Sequence, residues 1–201
     1  MDAAAWDARY SARELVWGAP PNRYVVEHAT ALPRGRALDL ACGEGRNALW
    51  LATRGWEVTG SDYSAVALAK AAEMAASSPR AVVQRLTWRH ADAVTDELGG
   101  PYDLVLQCFL HLPADQRSTV LAKACAALAP GGTLIVVAHD STNITHGTGG
   151  AQDPRVLFTP ADVLAELPAD VTASVAESPL REVDGAPRPA IDALVVAVRA
   201  G

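Results

Sequence analysis

Arg36-Ala-Leu-Asp-Leu-Ala-Cys-Gly-Glu-Gly-Arg-Asn47 is the stretch that decides the fold. It reads as a short apolar strand, an acidic turn bearing two glycines, and the opening of a helix. Gly43 and Gly45 carry no Cβ, so a bound molecule can lie against the backbone there. The helix start that follows aims N–H groups without helical partners at the same place. Asp39, the last acid before the turn, bears on which ligand fits.

Outward from this turn the chain alternates. Apolar runs at 37–40, 57–60, 86–90, 102–108 and 133–138 read as strands, and 47–54, 65–76 and 113–128 read as helices between them. Gly55 suits the C′ position of the first of these helices, and Ser64 suits the N-cap of the second. Strands apolar on both faces and separated by helices predict a parallel sheet covered on both sides. Runs at 171–176 and 191–198 have no helix between them and are expected to pair antiparallel. The expected fold is therefore α/β, a doubly wound Rossmann-like sheet of seven strands, mostly parallel, with an antiparallel C-terminal strand.

Three parts are expected within one domain spanning 1–201. Residues 1–34 form a helical cap, with a helix over 6–17 and a second after Pro20-Pro21-Asn22; its apolar face is Val25, Val26, Ala29 and Leu32. Residues 35–139 form the ligand-binding core. Residues 140–201 supply a polar, Gly- and Thr-rich mobile loop over 140–154, a helix opened by Thr159-Pro160-Ala161-Asp162, and the last two strands.

The chain has 201 residues, a formal net charge of −6 and 50% hydrophobic residues, enough for a real core. Lys70 and Lys123 are its two lysines, and no block of cations forms a stripe. That argues against a nucleic-acid groove and against an anionic membrane surface. No signal peptide is visible at the N-terminus, and no run approaches the ~18 apolar residues of a membrane span. Cys42, Cys108 and Cys125 make no CxxC pair and read as reduced thiols. A cytoplasmic protein without a metal site is expected.

Gly43-Glu-Gly45-Arg-Asn-Ala48 fits G-x-G-x-x-A, and Asp62 stands at the end of the next strand, where an acid can accept from both hydroxyls of a ribose. Two ligands share this signature. A dinucleotide would place a pyrophosphate beside Asp39 and Glu44, which like-charge repulsion disfavours. S-adenosylmethionine has no phosphate and brings a sulfonium and an α-ammonium, which the acids favour. A nicotinamide-dependent oxidoreductase and a protein that binds S-adenosylmethionine without turnover remain open at this point.

Asp39-Leu-Ala-Cys-Gly-Glu-Gly resembles motif I of the class I S-adenosylmethionine-dependent methyltransferases, and further resemblances follow in order. Val58-Thr-Gly-Ser-Asp62 resembles the second motif, His90-Ala-Asp92-Ala93 the third, and Tyr102-Asp-Leu-Val-Leu-Gln107-Cys108 the fourth. Leu128-Ala-Pro-Gly-Gly-Thr-Leu-Ile-Val resembles the turn and fifth strand. Together they cover residues 35–138. Within the superfamily, Trp6…Tyr10…Trp17…Pro21-Asn22 and Gly45-Arg46-Asn47 are similar to the tellurite-resistance and thiopurine-methyltransferase-like branch. The resemblance implies a cofactor site of Asp39, Ala41, Gly43, Gly45, Arg46, Asp62, Tyr63, Asp92, Ala93 and Gln107. Asp62 would bind ribose, Asp92 the adenine amino group and Gln107 the methionine end. Ala41 departs from the family by replacing the first glycine of the turn. Alanine takes φ > 0 only at a cost, so a slightly shifted approach of the methionine moiety is expected.

Gln107-Cys108-Phe109-Leu110 stands where relatives that methylate DNA bases or protein glutamine carry Asn/Asp-Pro-Pro-Tyr, which points to a small-molecule acceptor. Asp140 alone occupies a place comparable to the metal ligands of catechol-type relatives. Methyl transfer from a sulfonium needs mainly proximity and alignment; a base is required where the acceptor must lose a proton. His111 and His139, after the fourth and fifth strands, are the candidate catalytic bases and substrate contacts. His146 in the polar loop and Tyr10 and Trp17 in the cap are further candidate substrate contacts. His28 and His90 read as structural. The sequence does not identify the acceptor or the oligomeric state.

Overall fold

The computed structural model describes residues 3–12, 15–16 and 20–201. Its strands are β1 (Arg36–Leu40), β2 (Glu57–Asp62), β3 (Leu86–His90), β4 (Tyr102–Cys108), β5 (Leu128–His139), β6 (Val171–Glu177), β7 (Leu180–Arg181) and β8 (Ala190–Arg199). They form one sheet in the order β3-β2-β1-β4-β5-β8-β6, with β7 paired to β8 off this path. The first five strands are mutually parallel, and β8 runs antiparallel between β5 and β6.

The described helices are α1 (Ala3–Ser11), α2 (Arg23–Ala29), α3 (Arg46–Thr53), α4 (Ala65–Ala76), α5 (Arg80–Val83), α6 (Ala114–Ala126), α7 (Asn143–His146) and α8 (Pro160–Glu166). They cover the sheet in two layers. On one face Val25 of α2 and Ala48, Leu51 and Ala52 of α3 meet Ala37, Leu104, Leu106 and Ile135. On the other, Val120, Leu121 and Ala124 of α6 and Val163 of α8 meet Leu38, Leu40, Val105 and Leu134. The central strands are thus buried on both faces, which is why they read as unbroken apolar runs. Each such leucine contributes roughly 1.5–3 kcal/mol. Among the described residues no helix is long and apolar enough to cross a membrane.

The punctuation residues act as their chemistry predicts. Ser64 Oγ accepts from Ala67 N at 3.0 Å, and Gly55 takes φ 95 just past α3. Thr159 and Asp162 close a capping box with Pro160 in the first turn.

Three expectations are corrected, and one helix is added where the sequence reading assigned nothing. The sheet has an eighth strand, β7, too short at two residues to leave a periodic signal. The first helix ends at Ser11 rather than running to 17. One reason is visible at Val16, whose N–H donates to the Glu44 carboxylate at 2.9 Å and so cannot serve a helix. Trp17 lies outside the described residues. A short helix forms over Arg80–Val83, where Pro79 supplies a fixed φ before the first turn. Finally, 140–154 is not an open loop. Asp140 is buried and accepts from Thr142 N at 2.8 Å and Ser178 Oγ at 2.7 Å. Asn143, on α7, accepts from Ile191 N at 2.7 Å and donates to Gly149 O at 2.9 Å. These bonds fasten the segment to the start of β8.

Candidate functional site

Parallel strands end together, and in open α/β sheets ligands bind at those ends. β1 leads into the turn. Cys42 N donates to Ser61 O and Gly45 N to Cys42 O, fixing a tight loop before α3. Ala41 takes φ 53, the left-handed conformation glycine would hold, so the turn keeps its path despite the substitution. Alanine in this conformation carries local strain of roughly 1–2 kcal/mol.

The two glycines differ in use. A Cβ on Gly45 would lie 2.6 Å from Trp88 Cη2 and 2.9 Å from Ala71 Cβ, so this glycine serves close packing of β3 and α4 against the turn. Gly43, at φ 55, donates its N–H to Asp62 Oδ2 at 2.8 Å. Asp62 Oδ1 accepts from Ser64 N at 2.8 Å. Burial raises the Asp62 pKa, and the Ser64, Gly43 and Tyr63 N–H groups oppose it. A carboxylate has about four lone-pair sites, so both oxygens retain capacity for hydroxyl donors.

Asp39 is almost completely buried at 1% exposure. Its Oδ2 accepts from Ala48 N at 3.1 Å, while Oδ1 has no partner. Desolvation pushes its pKa up to about 7, against the Ala48 N–H and the Arg46 charge, with Asp62 adding to the rise. On the neighbouring strand Gln107 is equally buried and its Oε1 also lacks a partner. Buried polar atoms are nearly always satisfied in native proteins. Two unsatisfied oxygens at the ends of adjacent strands mark a place for a polar ligand, and a free carboxylate oxygen suits a cation.

Glu44, the other acid of the turn, is not aimed there. It pairs with Lys70 of α4 at 3.2 Å and accepts from Val16 N. Lys70 also donates to Tyr10 O at 2.6 Å, and Val66 N of α4 donates to Asp7 of α1. These contacts hold α1 over the start of α4, beside the Asp62–Ser64 turn. Tyr10 is buried and stacks on Trp6 with centroids 5.6 Å apart. It therefore stands beside α4, next to Lys70. Arg46 and Tyr63 are half-buried beside the turn, and the Tyr63 carbonyl meets His90 Nε2 at 2.9 Å. Asp92 and Ala93 follow β3; Asp92 Oδ1 accepts from Val94 N at 2.8 Å and Ala93 O from Lys123 Nζ at 3.1 Å.

A second cluster occupies the ends of β4, β5 and β8. The rings of His111 and His139 are stacked at 5.5 Å with 6° between planes, and Phe109 lies 4.9 Å from His139. Phe109 takes φ 57, a strained conformation for a bulky residue, which turns the chain out of β4. His139 pairs in register with Asp192 of β8, and its Nδ1 lies 3.2 Å from Asp192 Oδ1. Arg181 of β7 grips Asp192 with Nε at 2.6 Å from Oδ2 and Nη2 at 3.1 Å from Oδ1. Burial alone would raise the fully buried Asp192, but hydrogen bonds and charge from His139 and Arg181 outweigh it and hold the carboxyl low. Burial, with His139 next, drives His111 down to about 4, and its Nε2 is buried without a partner. His146 is exposed and meets Thr145 Oγ1 at 2.8 Å.

Sequence reasoning missed Asp192 and Arg181. Asp192 sits inside an apolar strand, Ile191-Asp-Ala-Leu-Val-Val, where a lone charge was the available signal. The three cysteines are free and buried, and desolvation raises each thiol, Cys125 to about 11. Among the described residues no group of three His, Cys, Asp or Glu side chains is arranged to hold a metal ion.

A methyltransferase-domain family matches residues 37–132. Over a longer span, the thiocyanate methyltransferase 1 of Brassica oleracea is 32% identical across 172 residues, 83% of this chain and 74% of that protein. The chain belongs to the class I S-adenosylmethionine-dependent methyltransferases. An uncharacterised methyltransferase of Mycobacterium tuberculosis is 36% identical over 112 residues, 55% of this chain and 53% of its own length. The chain thus spans about half the length of that curated relative. The family fold is also that of a glycopeptide N-methyltransferase solved with S-adenosylmethionine, with TM-score 0.70 and 23% identity over 92% of this chain and 89% of that one.

Proposed function

We propose that this protein transfers a methyl group from S-adenosylmethionine to a heteroatom (O, S, N or a metalloid) of a small molecule by in-line displacement. The observation that carries the reading is the unpartnered Asp39 Oδ1 near the end of β1, just before the turn. An unsatisfied buried carboxylate oxygen suits the α-ammonium of the methionine end and repels a pyrophosphate. Asp62 would accept from the ribose hydroxyls, Asp92 from the adenine amino group, and Gln107 would face the methionine end, with the Gly43 backbone beneath. The bound cofactor supplies a methyl group on a positive sulfur, a leaving group that needs no further activation. The chain supplies alignment, exclusion of water under α1, and the imidazoles of His111 and His139 beyond Gln107. Residues 1–34 act as a cap on the cofactor side, 35–139 as the binding core and 140–201 as the acceptor side. The similarity of the N-terminal segment to the tellurite-resistance and thiopurine-methyltransferase-like branch supports a compact acceptor.

Titration calorimetry with S-adenosylhomocysteine and, separately, with NAD⁺ tests this. Binding of the first and not the second is expected, with Asp62→Ala weakening it by about 1–3 kcal/mol. Tight NAD⁺ binding without S-adenosylhomocysteine would favour an oxidoreductase. Binding without release of S-adenosylhomocysteine from S-adenosylmethionine, across phenol, thiol, amine and metalloid acceptors, would favour a non-catalytic binder.

A further inference from the structure

We infer that His139, positioned by Asp192 and Arg181, takes the proton of the acceptor, so that the methyl acceptor is a neutral O–H, N–H or S–H group and not a preformed soft anion. This rests on the methyl-transfer reading above and deepens it.

Topology places the pair. β4 follows β1 in the sheet, then β5, then β8. At about 4.8 Å per strand step, Asp192 lies roughly 14 Å from the cofactor turn, and His139 lies one strand nearer. His139 Nδ1 faces Asp192, which leaves Nε2 as the edge for an acceptor. Gly150 packs directly on the His139 ring, and no larger residue fits there. A Cβ there would fall 2.5 Å from His139 Cδ2 and 2.8 Å from Nε2.

Charge around His139 settles the acceptor class. Asp192 faces it from β8, and Arg181 reaches Asp192 from β7. Tyr24 of α2 feels Asp192, Arg23, Arg181 and Glu27, and His111 stacks from beyond β4. Gly150 packs from the 140–154 segment with no charge of its own. Arg181, the cation beside the pair, is already spent on Asp192 and on the face of Phe109 at 6.0 Å. His111 is held neutral by burial. An anionic acceptor would find no uncommitted cation in this cluster. A protic acceptor finds an imidazole whose Nδ1 lies 3.2 Å from the buried Asp192 carboxylate. In the step, the X–H bond breaks and its proton goes to Nε2. The X–C bond forms, the C–S bond breaks, and its electron pair stays on sulfur. The positive charge passes from the sulfonium to the imidazolium, which solvent then deprotonates.

The deciding measurement uses the free protein labelled with ¹⁵N-histidine. At pH 8 the imidazole nitrogens of His139 are expected to show a protonated Nδ1 and a bare Nε2; a dominant Nε2–H form overturns the proposal. Asp192→Asn is expected to scramble that tautomer. With phenol as probe at pH 7.5 it should lower methylation at least a hundredfold, with recovery as pH nears the phenol's own ionisation at about 10. With thiocyanate, an anion throughout, the rate should change less than twofold. Equal losses for both probes would make Asp192 mere scaffolding and overturn the proposal, as would wild-type preference for thiocyanate. Should Asp192→Asn fail to fold, Arg181→Lys keeps the charge but not the fork, and its His139 tautomer is read instead. Absence of S-adenosylhomocysteine binding would defeat the methyltransferase reading, whereas the tautomer reports on the pair alone.

Discussion

Asp39 and Asp192 are both buried aspartates at the same edge of one sheet, and they behave oppositely. Burial pushes Asp39 up to about 7, whereas Asp192 is held below its ordinary value of 3.8. The difference is the partner. Asp192 has a guanidinium folded onto both oxygens, while Asp39 has one backbone N–H and an unpaired oxygen. One carboxylate has its cation built into the chain; the other is completed from outside. On the proposed mechanism the first would hold its orientation through a reaction, and the second would receive a partner that comes and goes.

The largest effect that would break this comparison is on pH dependence. Asp39 binds its proton more tightly folded than unfolded. Its contribution is therefore fully present below pH 3.8 and is lost as pH rises through 7. The span corresponds to about 4 kcal/mol. Asp39→Asn should remove this loss, leaving a free protein more stable than wild type at pH 8 by up to about that amount, while weakening S-adenosylhomocysteine binding about tenfold. Urea unfolding at pH 5 and 8, paired with calorimetry, reads both. A variant equally stable at both pH values relative to wild type would show that Asp39 is already satisfied.

The two halves also differ in how far the sequence discloses them. The cofactor half is local: Asp39, Gly43 and Asp62 fall within two strands and one turn, and backbone geometry dictates residue types there. The seven long strands and the Ser64 and Thr159 caps were legible for the same reason. The acceptor half was half legible. His111 and His139 are polar residues just past apolar strands, but Asp192 joins His139 only through antiparallel pairing across 52 intervening positions. Arg181 sits on a two-residue strand with no periodicity to read. Gly45 has a second reason the motif alone does not disclose: a Cβ there would meet the Trp88 ring, which comes from β3.

The next effect comes from His111 and has the opposite sign to Asp39. Its folded pKa of about 4 lies below the ordinary 6.5, so its contribution is present above 6.5 and lost as pH falls through 4. That window is worth about 3 kcal/mol. In wild type the two groups offset each other between pH 4 and 6.5. His111→Gln should therefore expose the Asp39 trend, with stability falling as pH rises, and Asp39→Asn should expose the reverse. Parallel denaturation curves for the two variants would break the assignment.

Arg181→Met ranks below these. Removing one member of a buried pair costs about 3–5 kcal/mol, but His139 remains beside Asp192 and part of Arg181 already reaches solvent. A loss of about 2 kcal/mol in urea is expected, together with a rise in the Asp192 pKa as burial loses one of its two opponents, His139 being the other. An unchanged midpoint would mean that His139 alone holds the carboxylate.

The smallest effect concerns strain, which both halves carry. Ala41 and Phe109 sit at φ 53 and φ 57, one in each half. At Ala41 a glycine relieves roughly 1–2 kcal/mol of steric cost but adds about 0.4–1 kcal/mol of unfolded-state entropy. Ala41→Gly should thus gain about 0.5 kcal/mol, read as a rise in urea midpoint at unchanged slope, with S-adenosylhomocysteine affinity intact because the turn already follows the glycine path. At Phe109 the same exchange would relieve the same backbone and still destabilise, since it deletes the ring against His139 and Arg181. A gain at both positions would mean that the Phe109 ring contributes nothing to the acceptor half. A loss at Ala41 would mean that its methyl group packs against the turn more tightly than its strained backbone costs.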